Sequence, residues 1–180
     1  KDRVPVQSFL PLLRDLVMKG TYDLDPSRNN FLTTLHDPCN YVRQMGIVKP
    51  QRDILNAVMP KGNFHEMEPH GVNNYCCGGG SGFAIMNSMN FSYFRNNVSA
   101  RKKLSQILNA FGEASADPSI IKYITAPCSN CKGTMRDLLE AWHMADYNFY
   151  YGGLVELVVN AMTKFDERSE EHTSELQSPY

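Results

Sequence analysis

Five cysteines stand in three groups: Cys39 alone, the adjacent Cys76 and Cys77, and Cys128 with Cys131 as a C-x2-C pair. Thirty-six residues separate the first group from the second, and fifty the second from the third. The vicinal pair runs directly into Gly78, Gly79 and Gly80, so two thiols are followed by backbone that carries no side chains. A fold for this chain must either scatter the sulfurs as small buried hydrophobes or bring three distant segments to one place.

The apolar periodicity favours convergence. Phe9, Leu12, Leu13, Leu16 and Val17 fall on one helical face, with Ser8 as N-cap and Gly20 as stop. Ile54, Leu55, Val58 and Met59 predict a second helix ending before Gly62, and Ala100, Leu104, Ile107, Leu108 and Phe111 a third halted by Gly112. Met135, Leu138, Leu139 and Trp142 line another, and Leu154, Leu157, Val158, Ala161 and Met162 the last. Between them, "FLTTL" (31–35), "VNNY" (72–75), "IIKYITA" (120–126) and "NFYY" (148–151) read as short strands. Strands alternating with helices predict an α/β fold with a mostly parallel sheet flanked by helices. "GEASADPS" (112–119) reads as a surface loop. On this reading each cysteine group follows a strand, and open parallel sheets gather ligands outside the carboxyl ends of their strands.

Several chemistries compete for the sulfurs. A disulfide framework fits poorly with an odd number of thiols. Structural zinc wants four ligands in tetrahedral array, and "CSNC" would supply one half while an adjacent pair makes a poor second half. A thioredoxin-like pair at Cys128 and Cys131 leaves Cys39, Cys76 and Cys77 unused. An iron–sulfur cluster uses all five, because neighbouring cysteines can point at different irons of one cluster. The glycines then let backbone N–H groups approach the sulfurs.

Bulk composition narrows the partners. With 18 Lys and Arg against 19 Asp and Glu, the net charge of −1 gives no nucleic-acid surface. The longest apolar stretch, "GGLVELVVNAM", is far shorter than a bilayer span and carries Glu156. The chain opens on Lys1 without an initiator Met and reads as part of a longer chain. "RSEEHTSELQS" resembles a translated sequencing adapter, so residues 168–180, including His172, are set aside as a non-native tail and residues 1–167 as one domain.

Three motifs in order, "HDPC", "CCGGG" and "APCSNCKG", resemble the cysteine-rich CCG domain. That domain occurs in the B and D type subunits of heterodisulfide reductases and in related iron–sulfur subunits of glycolate, lactate and glycerol-3-phosphate oxidoreductases. Within the family the chain looks closest to the heterodisulfide-reductase-like subunit of membrane redox complexes of sulfate reducers. The resemblance covers roughly residues 4–165. It implies a 4Fe–4S cluster, noncubane or cubane, with Cys39, Cys76, Cys77, Cys128 and Cys131 as ligands and Gly78, Gly79 and Gly80 around it. It also implies electron transfer to a disulfide-type substrate or small redox protein. The partners it implies are other subunits of a redox complex, including a quinone-linked membrane subunit, with this chain on the cytoplasmic side of the inner membrane. Ferredoxin-type clusters, absent here, are expected before Lys1.

Other residues are weighed against plainer roles. His36, three residues before Cys39, is the candidate proton donor, against a histidine that merely hydrogen-bonds a loop. Asp37 reads as a turn cap. His65, His70 and His143 have no recruiting spacing. Lys132 reads as a solvent-facing lysine and Arg101, Lys102 and Lys103 as an exposed helix face. The stretch "FAIMNSMNFSYF" (83–94) reads as core. Two other function classes stay open: a pure electron relay, and a zinc-stabilised interaction module.

Overall fold

The computed structural model describes residues 6–80 and 92–164; the expected tail and most of 83–94 lie outside them. Among the described residues, nine main elements alternate: α1 (Phe9–Met18), β1 (Leu32–Leu35), α2 (Lys49–Val58), β2 (Phe64–His65), α3 (Arg101–Phe111), β3 (Lys122–Thr125), α4 (Ser129–Ala141), β4 (Phe149–Gly152) and α5 (Leu154–Ala161), with a short helical segment, Ser92–Phe94, running through a π-turn toward α3. The strands form one parallel sheet in the order β2-β1-β3-β4. The α/β reading is therefore correct.

A parallel sheet needs cover on both faces, and the helices divide between them. On one side, Leu13 of α1, Ile54, Leu55 and Val58 of α2, and Leu157 and Val158 of α5 form one core with Leu35. On the other, Ile107 and Phe111 of α3 and Met135 and Leu138 of α4 pack with Ile124 and Phe149. The helical periods read from the sequence place most of these apolar faces correctly; in α1, however, Phe9 and Leu12 are exposed and Leu10 is buried in their stead, and Trp142 just beyond α4 is exposed. Among the described residues, no helix is long and apolar enough to cross a membrane.

Two boundaries have clear local causes. Helix α2 starts earlier than its apolar stripe, at Lys49, with Pro50 in the first turn where a missing N–H costs nothing. Helix α3 stops at Gly112, whose φ of 55° and ψ of −132° lie where only glycine is comfortable. A Cβ there would meet no heavy atom within 4 Å, so Gly112→Ala isolates backbone strain. It is expected to destabilise the protein by roughly 1–3 kcal/mol, read as a lowered urea midpoint; an unchanged midpoint would refute the assignment.

One strand was misread. "VNNY" is no strand: Gly71–Asn73 is a 3-10 turn, and the sheet's remaining edge is β2, which pairs Phe64 with Thr33. The reason lies in where the segment's backbone groups find partners. The Gly71 N–H donates to the Asp37 carboxylate at 2.6 Å. The Val72 carbonyl accepts from Arg43 Nε at 2.8 Å, and the Asn74 carbonyl accepts from the same guanidinium. Side chains from another loop take the place of a neighbouring strand. The vicinal cysteines consequently leave from a side-chain-braced loop.

Candidate metal centre

The register of the central strands sets the site. Leu35 of β1 lies opposite Thr125 of β3, and the His36 N–H donates to the Thr125 carbonyl at 2.9 Å. The loops after β1 and β3 therefore leave the sheet side by side. The first carries His36, Asp37 and Cys39, with Cys39 opening a π-turn over Asn40–Gln44. The second puts Cys128 at the N-cap of α4 and Cys131 in its first turn.

The third loop completes the site. Cys77 Sγ and Cys131 Sγ lie 3.2 Å apart, and the Cys76 thiol is next to Cys77 along the chain. Ligand atoms of His36, Cys77 and Cys131 all lie within 4.8 Å of one another, and all three residues are buried. Cys76 is exposed, while Cys39 and Cys128 are half-buried at the starts of their turns. All five thiols are free. Residues 54 positions apart thus meet, and His36 joins them.

The glycines do separate work. The Gly78 N–H points at Cys76 Sγ and the Gly79 N–H at Cys77 Sγ, each at 3.3 Å. Gly79 also lies against α4, where a Cβ would fall 2.0 Å from Thr134 Oγ1 and 2.8 Å from the Asn130 carbonyl. That close approach, which no side chain permits, brings Cys77 to Cys131. Gly80 is exposed with open space around it.

Electrostatics favour neutral groups at the site. Hydrogen bonding to Cys131, then burial, pushes the Cys77 thiol up to about 11. Contact with Cys77, then burial, raises the Cys76 thiol as well. A metal binding here must displace those protons. Burial, followed by the charges of Lys103 and Arg43, holds His36 well below the usual imidazole range, so its ring is neutral near pH 7.

Asp37 does far more than cap a turn. Its buried carboxylate takes a two-pronged bond from Arg52, at 2.6 and 3.0 Å, and the Gly71 N–H as well. Arg52 reaches on to Glu66 at 2.7 and 2.8 Å. The "HDPC" loop and the turn before "CCGGG" are thereby fastened to α2 through one ion-pair network.

Lys103 is the residue that sequence reasoning missed. Read as part of an exposed helix face, it is 0% exposed. Its Nζ donates to Asn74 Oδ1 at 2.8 Å and to Gln106 Oε1, with Met67 Sδ at 3.8 Å. Ala100, Lys103 and Ile107 share one helical face, so the helical period carried the signal. Because the ammonium can only donate, Asn74 must turn its oxygen toward Lys103. Its Nδ2 then donates to the Asp37 carbonyl at 3.2 Å and faces His36 Nδ1 at 3.4 Å. His36 Nδ1 is thus the acceptor, and the ring proton sits on Nε2.

The remaining candidates lie elsewhere or have plain roles. Lys132 is partly exposed and pairs with Glu156, which also accepts from Tyr123 Oη at 2.8 Å. His65 packs on Phe111, and His70 contacts Glu68 at 3.0 Å. Lys102 lies 4.4 Å from the centre of the Tyr75 ring.

A soft donor set of thiols and an imidazole, with N–H groups aimed at two of the sulfurs, fits a thiolate-held metal centre. Residues 33–136 match the family of cysteine-rich domains designated CCG. The chain is 30% identical over 159 residues to the Hdr-like menaquinol oxidoreductase iron-sulfur subunit 2 of Archaeoglobus fulgidus, covering 86% of this chain and 26% of that relative. It is 28% identical over 173 residues to the Hdr-like menaquinol oxidoreductase iron-sulfur subunit of Archaeoglobus profundus, covering 93% of this chain and 28% of the relative. The chain therefore spans little more than a quarter of these curated relatives' length. No solved structure matches it.

Proposed function

Because the chain belongs to the cysteine-rich CCG domain family, we propose that residues 1–167 act as the iron–sulfur redox domain of an Hdr-like complex. On this reading Cys39, Cys76, Cys77, Cys128 and Cys131 hold a 4Fe–4S cluster, noncubane or cubane, and Gly78 and Gly79 donate N–H groups to it, with Gly80 extending the turn. The observation that carries the reading is the contact of Cys77 with Cys131 beside His36, produced by three loops far apart in sequence.

The bound cluster would supply one-electron redox chemistry at a thiolate-lined site. The acceptor is a disulfide-type substrate or a small redox protein. Reducing a disulfide consumes two electrons and two protons and yields two thiols. The electrons come from a quinol-linked membrane subunit, in keeping with the names of the two relatives. The complex holds the domain on the cytoplasmic side of the membrane. His36, the proposed proton donor, acts from its neutral form: its Nε2–H hydrogen-bonds the departing sulfur, and the two protons are drawn from water. Burial keeps it neutral, and the Asn74 amide holds the ring.

A second reading rests on the same trio. One imidazole and two thiols within 4.8 Å of each other also suit a single tetrahedral zinc ion. Metal analysis of anaerobically purified protein separates the two. About four irons and four acid-labile sulfides per chain are expected for the cluster; zinc without sulfide would overturn it. Electron paramagnetic resonance after adding a thiol under oxidising conditions then tests the chemistry. A thiol-dependent signal supports substrate reduction at the site, and a thiol-insensitive one reduces the domain to an electron relay.

A further inference from the structure

Beyond the cysteines, the described residues bury one lysine against the site with no carboxylate to answer it. Lys103 Nζ has neutral partners only: the amides of Asn74 and Gln106 and the Met67 thioether. An ammonium withdrawn from water reverts to the amine unless negative charge lies nearby. Burial accordingly brings Lys103 down to about 7, while Cys77, Asp37, Cys131 and Cys76 pull it back up. Of these, Asp37 already answers Arg52 and the Gly71 N–H. The negative charge left for Lys103 is that of the cysteine sulfurs.

The geometry connects them. Lys103 binds Asn74 at 2.8 Å, Asn74 faces His36 at 3.4 Å, and His36 lies within 4.8 Å of the Cys77 and Cys131 sulfurs. Asn74 also stands two residues before Cys76, so the lysine grips the loop that carries the vicinal pair. Thiols held as ligands lose their protons, and a cluster bearing several thiolates is an anion. The ammonium and the anion would then stabilise each other in surroundings of low polarity.

We infer that Lys103 is the buried counter-charge of the metal centre, a positioning residue that raises its reduction potential and keeps His36 oriented through Asn74. The inference rests on the iron–sulfur reading above. Reduction adds negative charge to the cluster, so a nearby fixed positive charge favours the reduced form. A solvent-facing lysine, such as Lys132 with its partner Glu156, has no comparable effect, because water and the carboxylate screen it.

The test is a redox titration of the full-length protein with its partner subunits, following the resonance signal that Cys77→Ser removes. Lys103→Met keeps the length of the side chain and removes the charge. It is expected to lower the equilibrium constant for reduction about tenfold, roughly 59 mV for one electron. Gln106→Glu leaves the lysine in place and sets a carboxylate beside it, and should shift the midpoint the same way. This second variant decides the matter if Lys103→Met does not load iron. A variant with wild-type iron and sulfide and an unchanged midpoint overturns the inference and leaves the cluster standing. Wild-type protein without iron or sulfide overturns both.

Discussion

Cys77→Ser is expected to strip the protein of iron and sulfide while leaving its fold intact. Cys77 is the hub of the site: it touches Cys76 and Cys131, accepts the Gly79 N–H, and is buried. Serine offers a hard oxygen that holds its proton far more tightly than a thiol, and soft thiolate sites discriminate against it. Loss of an outer partner of a metal ligand lowers affinity roughly 10- to 100-fold, and loss of a central ligand should exceed that. Cys39→Ser, at a half-buried position opening its turn, is expected to retain more iron. Iron and sulfide assays read the difference, with circular dichroism as the fold control. Equal iron in Cys77→Ser and wild type would remove Cys77 from the ligand set.

Arg52→Met should destabilise the protein by about 3–5 kcal/mol, the range for stripping a buried carboxylate of its partner. The Asp37 side chain is 0% exposed and Arg52 only 15%, so water cannot replace the lost guanidinium. Methionine fills much of the volume but leaves Asp37 with the Gly71 N–H, and Glu66 without its bidentate partner. For a domain of this size the melting temperature should fall by roughly 10 °C. The effect should also reach the metal centre, because Asp37 ties the "HDPC" loop to the turn that feeds Cys76 and Cys77. Iron should therefore be lost at temperatures where the circular dichroism is still native. A melting temperature within a degree or two of wild type would show the network to be ornamental.

These two residues illustrate different degrees of legibility. Cys77 could be read from the chain, since its type, its neighbour and the following glycines together restrict its chemistry. Arg52 could not, because it lies on the polar side of a short helix and acts on a carboxylate 15 residues away. The glycines fall between. That Gly78 and Gly79 send N–H groups to sulfur follows from their position two residues after each cysteine. That Gly79 must also clear α4 depends on a contact with Asn130 and Thr134.

Helical and strand periods, turn residues and the cysteine spacing are local properties, and they sufficed for the α/β layering, for the stops and starts of three of the five long helices to within a turn, and for the ligand candidates. They failed at "VNNY" and at Lys103 for one shared reason. In both places the backbone or the charge is satisfied by side chains from remote segments: Asp37 and Arg43 for the turn, Asn74 and Gln106 for the ammonium. Such partners exist only once the sheet has set β1 beside β3 and α3 has packed against it. Before that, a lysine on an amphipathic helix has every reason to face water; afterwards, burial and the nearby sulfurs give it a reason to stay inside.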